Sequence, residues 1–118
     1  MRGADLADLS EAGAIMGWTV KEWVDQFCST MDDATSLRVM RGRAIAGAAE
    51  EIELLDALEA GDVWVESTIA MRDTFLDCID KIESRLNELG VEFGSERNYG
   101  VKPGMAERVE HEREKRNG

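Results

Sequence analysis

Apolar residues recur at helical spacing through most of the chain. Ile45, Ala48, Ile52 and Leu55 stand three, four and three positions apart, and Leu58 extends the series by one more turn. Phe75, Ile79, Ile82, Leu86 and Leu89 repeat the pattern with steps of four, three, four and three. Such spacing stacks side chains on one helical face and predicts two long helices. The first opens in the cap-rich stretch Ser29-Thr30-Met31-Asp32-Asp33 and runs to Ala60; the second runs from Val63 to Leu89. Gly61 as C-cap and Asp62 as N-cap leave so short a turn that the two must fold back as an antiparallel hairpin.

Upstream, Asp8-Leu9-Ser10-Glu11 places a capping residue before Ala12, Gly13, Ala14, Ile15 and Met16, which end at Gly17. A short helix stopped by a glycine follows. Thr19 with Glu22 three places on has the spacing of a capping box, opening a second short helix over residues 20–27. Its apolar positions Val20, Trp23, Val24 and Phe27 share one face. Residues 12–27 therefore have the layout of a helix-turn-helix, with Gly13 at the crossing and Gly17 at the turn. Lys21, Glu22, Asp25 and Gln26 lie on the outward face of its second helix, the face such a unit offers to the DNA major groove. Two short helices joined by a Gly-Trp turn also occur in bundles that never meet DNA, and two of those four side chains are acidic.

Beyond Gly90 the pattern changes. Val91-Glu92-Phe93 and Tyr99-Gly100-Val101 read as short strands on either side of Ser95-Glu96-Arg97-Asn98. From Met105 onward good helix formers alternate in charge, and Val109 is the only large apolar side chain after Met105. That tail reads as a solvated helix, or as disordered in isolation. The first long helix is rich in small residues, with Gly42, Ala44, Ala46, Gly47, Ala48 and Ala49 inside eight positions. Small side chains on several faces allow close approach by more than one neighbour. Two apolar seams of this size leave a lone hairpin little margin, which makes self-association a natural remedy. The only proline is Pro103, so no obligate helix breaker interrupts the long helices.

The chain of 118 residues is long enough for one ordinary domain and carries a net charge of −11. The segment from Ser95 onward is nearly balanced in charge, so the acidity falls on the body of the chain. An acidic body argues against broad attraction to nucleic acid, since duplex binding draws on Lys and Arg at phosphates. Any DNA contact must be local, or summed over many copies. Cys28 and Cys78 stand alone with a single histidine, His111, which excludes the usual metal-cage spacings and predicts reduced thiols in a cytoplasm. The start, Met1-Arg2-Gly3-Ala4-Asp5, lacks a signal-peptide core, and no stretch approaches a membrane span. There is no phosphate-cradling GxxxxGK loop and no nucleophile elbow. Any His-based catalytic pair would need His111 in the charged tail, so the reading is of a binding protein without cofactor or metal, not an enzyme. Trp23 reads as core, and Trp18 and Trp64, beside helix starts, as turn anchors or subunit contacts.

In its order of elements the chain resembles the small terminase subunit of tailed bacteriophages. The residues that carry the likeness are Glu11-Ala12-Gly13-Ala14-Ile15-Met16-Gly17-Trp18-Thr19, then Arg41-Gly42-Arg43-Ala44 opening the hairpin, and Glu59-Ala60-Gly61-Asp62 at its tip. The likeness spans about residues 8–90 and is one of pattern. It implies a mainly α fold: an N-terminal helix-turn-helix DNA-binding region (1–30), a long antiparallel helical hairpin for oligomerisation (31–90), and a short β segment with a charged C-terminal tail (91–118). The implied role is to select viral DNA, assemble as a ring and regulate the large terminase subunit in the host cytoplasm. On that reading Thr19, Lys21 and Gln26 are the recognition-helix residues, Thr19 contacting a phosphate and Gln26 able to read adenine, and Arg38, Arg41 and Arg43 touch the backbone. Ile45, Ala48, Ile52, Leu55, Phe75, Ile79, Ile82 and Leu86 form the seams of the oligomerisation domain. Two other readings stay open. One is an acidic phage inhibitor imitating nucleic acid with Glu50, Glu51, Glu53, Asp56, Glu59 and Asp62; the other is a helix-turn-helix repressor acting as a dimer.

Overall fold

The computed structural model describes residues 20–117, apart from the side chains of Val20, Lys21, Trp23 and Glu96. It is mainly helical. Helix α1 (Val20–Thr30) leads into two helices of equal length, α2 (Ala34–Ala57) and α3 (Val65–Glu88), and a 3-10 turn (Glu96–Tyr99) precedes α4 (Met105–Asn117). The first helix and turn of the expected helix-turn-helix, residues 12–19, lie outside the described residues.

Local chemistry sets the helix ends. Asp33 caps α2: its carboxylate accepts from the Thr35 amide at 3.2 Å and from the Ser36 hydroxyl at 2.6 Å. The Ser36 hydrogen bond, then the Thr35 one, holds the Asp33 carboxyl below its ordinary pKa. Helix α2 stops at Ala57, three residues short of the expected Ala60, because Leu58 turns to an extended conformation while its amide still reaches the Leu54 and Leu55 carbonyls. Gly61, at φ +89°, turns the chain, and Asp62 accepts from the Trp64 amide at 2.9 Å just before α3 begins. At the far end of α3, Gly90 (φ +70°) donates to the Asn87 carbonyl and Val91 to that of Leu86. This paired closure satisfies carbonyls a helix end would otherwise leave open.

Helices α2 and α3 run in opposite directions, since Arg41 meets Glu83 while Gly47, further along α2, meets Phe75, earlier in α3. Between them lies the core, in which Leu37, Ala48, Phe75, Leu76, Ile79 and Leu86 are almost wholly buried. Each large side chain so buried contributes roughly 1.5–3 kcal/mol. Helix α1 adds Val24 and Cys28 to this core, and α4 adds Val109.

Two expectations are corrected. No strand forms among the described residues: 91–95 is irregular and Tyr99 closes the 3-10 turn. Glycines with positive φ at 90, 94 and 100 break up the segment, and Arg38 Nε donates to the Glu92 carbonyl at 2.8 Å, occupying the acceptor a β ladder would use. Nor does the charged tail stand apart in solvent, because α4 packs on α2 and is tied to both long helices by ion pairs.

The small residues of α2 do admit a second neighbour, and it belongs to the same chain. A Cβ on Gly47 would lie 2.5 Å from the Phe75 ring, and one on Gly42 would lie 2.7 Å from Cβ of Tyr99. Seven of the eight residues assigned to oligomerisation, Ile45, Ala48, Ile52, Phe75, Ile79, Ile82 and Leu86, are buried within one chain, and Leu55 is half-buried. Their apolar surface is spent on the fold of the single chain.

Candidate functional site

The residues expected at DNA fall into three groups. Thr19 lies outside the described residues, as does the side chain of Lys21. Gln26 on α1 and Arg43 on α2 are exposed. Arg38 and Arg41 are engaged with the fold: Arg38 holds the Glu92 carbonyl, and Arg41 is 8% exposed, with Nε 2.8 Å from Glu83 Oε2. The Arg41 guanidinium also lies over the Phe93 ring, 4.8 Å from its centre. The residues that looked like one cationic patch in the sequence are thus divided between interior and surface.

Arg41 belongs to a wider clasp. Glu83 receives Arg41 on one oxygen and Arg113 Nη2 of α4 on the other at 2.8 Å, and the same Nη2 reaches Asp80 at 2.7 Å. Burial alone would lower the pKa of Arg113, but the hydrogen bonds to Glu83 and Asp80 outweigh it and raise the pKa, fixing the charge. Along the same seam Arg72 pairs with Glu112 at 3.1 Å, Arg116 with Asp77 at 2.8 Å, and Arg108 with Asp56. At the opposite end of α3, Arg85 holds the carbonyl of Met31 at 3.0 Å and Asp32 at 2.6 Å, pinning the α1–α2 link. Sequence reasoning missed Arg72, Arg85 and Arg113, because their carboxylate partners lie 30 to 53 positions away or across a turn.

Between α1 and α3 runs an open groove of about 360 Å³, lined by Asp25, Cys28, Asp80, Lys81, Arg85 and Glu88 among others. Its charges are largely committed, with Lys81 paired to Asp25 and Arg85 to Asp32 and Glu88. The Ser29 hydroxyl at its edge donates to the Gln26 carbonyl at 3.0 Å. Cys28 and Cys78 are buried free thiols, and desolvation, the largest influence on each, pushes them up to about 11 and about 12. Such thiols stay protonated near neutral pH and are poor nucleophiles and poor metal ligands. Among the described residues no His, Cys, Asp and Glu side chains converge as a metal site, and no helix is long and apolar enough to cross a membrane.

The turn between α2 and α3 has a different character. Val63 is 85% exposed and Trp64 63%, the two large apolar side chains most open to solvent among the described residues. Glu59, Asp62 and Glu66 flank them in the chain, all exposed and in no ion pair among the described residues. The backbone beneath is fixed: Asp62 N–H donates to Glu59 O at 3.0 Å, Val65 N–H to Asp62 O at 3.2 Å, and the Ser67 hydroxyl to Trp64 O at 3.1 Å. The tip therefore presents an exposed tryptophan and valine on a set turn, with three exposed carboxylates within five positions in the chain, an arrangement suited to binding a surface. Comparison with protein-family models, with curated proteins and with solved structures finds no match to this chain.

Proposed function

We propose that this chain is an assembling, DNA-engaging regulator of viral genome packaging, of the small-terminase kind to which its order of elements is similar. The observation that carries the reading is the pair of 24-residue antiparallel helices following α1, which ends in an exposed Val63–Trp64 tip. A rigid helical pair with an unburied apolar end is a means of joining subunits. DNA contact falls to Thr19, Lys21 and Gln26 of the N-terminal region and to Arg43, while Arg38 and Arg41 serve the fold. With so few cations per subunit, binding depends on several copies engaging one duplex together. The outer face of α4, with Lys115 exposed, is the surface left for the large terminase subunit.

Light scattering after size exclusion, coupled to duplex-DNA binding by fluorescence anisotropy at several salt concentrations, tests the reading. The expected result is a species well above a dimer whose DNA affinity falls with salt and is weakened by Lys21→Glu and Arg43→Glu without loss of assembly. A chain that stays monomeric at every concentration and ignores DNA sinks it.

One observation favours a second reading, an acidic protein that binds a basic partner. Most arginines of the described residues are neutralised internally, leaving Glu53, Glu59, Asp62 and Glu66 as unpaired surface charge. The full set of carboxylates expected to imitate nucleic acid is not available for this, since Glu51 is fully buried and Asp56 pairs with Arg108. A monomer that binds a cationic protein and no DNA is the result that selects this reading.

A further inference from the structure

We propose that α4 is an exchangeable arm, which in the assembled protein leaves its own chain at the 102–105 turn and seats on the α2–α3 pair of a second copy, in the groove it fills in the single chain. The inference rests on the assembling part of the reading above and names the contact. What the groove accepts is visible, because α4 lies in it. Asp77, Asp80 and Glu83 follow one another at steps of three down α3, and they receive Arg116 at 2.8 Å and Arg113 at 2.7 and 2.8 Å. Arg72 of α3 takes Glu112 at 3.1 Å, and Asp56 of α2 takes Arg108. Val109 is buried, with Met105 and Ala106 packed half-buried against the same core. A second copy carries the identical arm, so the fit of the occupant is defined by contacts already present.

The arm is also attached in a way that lets it go. Asp56, Asp77 and Asp80 keep about half or more of their side-chain surface in water, and ion pairs of that kind are individually weak. Just upstream Val101 is buried, while Lys102, Pro103 and Gly104 are exposed. The Met105 amide donates to the Lys102 carbonyl at 3.2 Å, with Pro103 second in the turn and Gly104 third at φ +89°, the arrangement of a type II β-turn. Opening the turn gives up that hydrogen bond. With Val101 still in place, the start of α4 can then stand up to about 14 Å away from it.

The closed and exchanged forms share every contact of α4, so their balance is set by the hinge and by the entropy lost in joining two chains. Exchange calls for no new apolar surface, which matters in a chain whose Ile45, Ile52, Phe75, Ile79 and Leu86 are already buried in its own fold. Made reciprocally, it gives a closed pair. Passed from each copy to the next, it gives a ring or a filament, according to the rotation between neighbours.

Two full-length double variants separate exchange from self-closure. Asp77→Arg with Asp80→Arg reverses the groove and keeps the native arm; Arg113→Glu with Arg116→Glu reverses the arm and keeps the native groove. Alone, each sets like charges together whether its arm closes on its own chain or on another copy. In a mixture, native arm meets native groove and reversed arm meets reversed groove, but only across two chains. Light scattering at low salt, with circular dichroism to check that the helices persist, is expected to show each double variant at monomer mass and the equimolar mixture as a one-to-one pair. The wild type is expected to grow heavier than a monomer as its concentration rises. Gly104→Val, which strains the closed turn at its positive φ, is expected to reach the same mass with at least tenfold less protein. A mixture no heavier than its components, a wild type that is monomeric at every concentration, or a Gly104→Val chain no heavier than the wild type each overturn the proposal. If the wild type assembles and binds DNA but the mixture does not pair, arm exchange is wrong and the packaging reading stands. If the mixture pairs and the wild type assembles but ignores DNA, arm exchange stands and the packaging reading falls.

Discussion

The Phe75 ring occupies the space a side chain on Gly47 would need, with an imagined Cβ 2.5 Å from two of its carbons. Glycine inside a helix costs about 1 kcal/mol relative to alanine, so its presence here reflects the approach of α3. Gly47→Ala is expected to destabilise the protein by roughly 1–3 kcal/mol, the overpacking cost exceeding the propensity gain. Urea unfolding measures it, and Phe75→Leu added to Gly47→Ala should recover part of the loss. An alanine variant more stable than the wild type would show that the two helices are further apart.

Removing Glu83 takes away the carboxylate 2.8 Å from the buried Arg41 guanidinium and one of those that hold Arg113. Glu83→Ala is therefore expected to cost about 3–5 kcal/mol, the usual consequence of breaking a buried pair from one side. Arg41→Met combined with Glu83→Leu should be milder, because Arg41 is then not stranded and Arg113 keeps Asp80. Chemical denaturation of the two single variants and the double variant gives the coupling. Additive losses would mean that the pair does not act as a unit.

Helix α4 buries one large side chain, Val109, packs half-buried Met105 and Ala106 against the core, and is also held through arginines, some of them to exposed partners such as Asp56 and Asp77. Salt at 1 M shortens the reach of exposed charges to about 3 Å. Amide hydrogen exchange in α4 should accelerate in 1 M NaCl relative to 50 mM, while the amides of α2 and α3 that flank the core change little. Arg113→Gln should bring the same acceleration at low salt. Equal α4 protection at both salt concentrations would count against an ionic attachment.

The two buried thiols give the stability an alkaline edge. Burial pushes them up to about 11 and about 12 in the folded chain, against 9.0 for an ordinary thiol. Below pH 9 both states hold these protons and the thiols leave stability unchanged. Above it the unfolded chain releases them while the folded chain keeps them, so stability falls as pH rises from about 9 toward 12. The urea midpoint should drop more steeply between pH 8.5 and 10.5 in the wild type than in a Cys28→Ala, Cys78→Ala variant. Parallel slopes would remove the thiols from the effect.

The long helices were legible because their signal is local. Ile45, Ala48 and Ile52, and Phe75, Ile79, Ile82 and Leu86, declare a face by spacing alone, and that face is the core. Asp33 was legible as part of a cap-rich stretch for the same reason. What could not be read was where charge goes. Arg41 in the series Arg38, Arg41, Arg43 looks like surface until Glu83, 42 positions on, is brought beside it. The alternating charges of α4 look solvated, because polarity alone cannot tell water from carboxylates on another helix. The strands expected at 91–93 and 99–101 had suitable side chains, but the backbone acceptor at Glu92 was claimed by Arg38, 54 positions earlier. At the tip, Trp64 was recognisable as a residue beside a helix start, but its spacing alone did not tell that it stands exposed.

The placing of the arginines also orders the birth of the molecule. Glu83 and Asp80 leave the ribosome some thirty residues before Arg113, the residue that completes their neutralisation. During that interval the nascent helices carry Arg41 against an excess of carboxylates, a half-built lock awaiting its last pin. Only when the segment that forms α4 has been made can Arg113 close across Asp80 and Glu83.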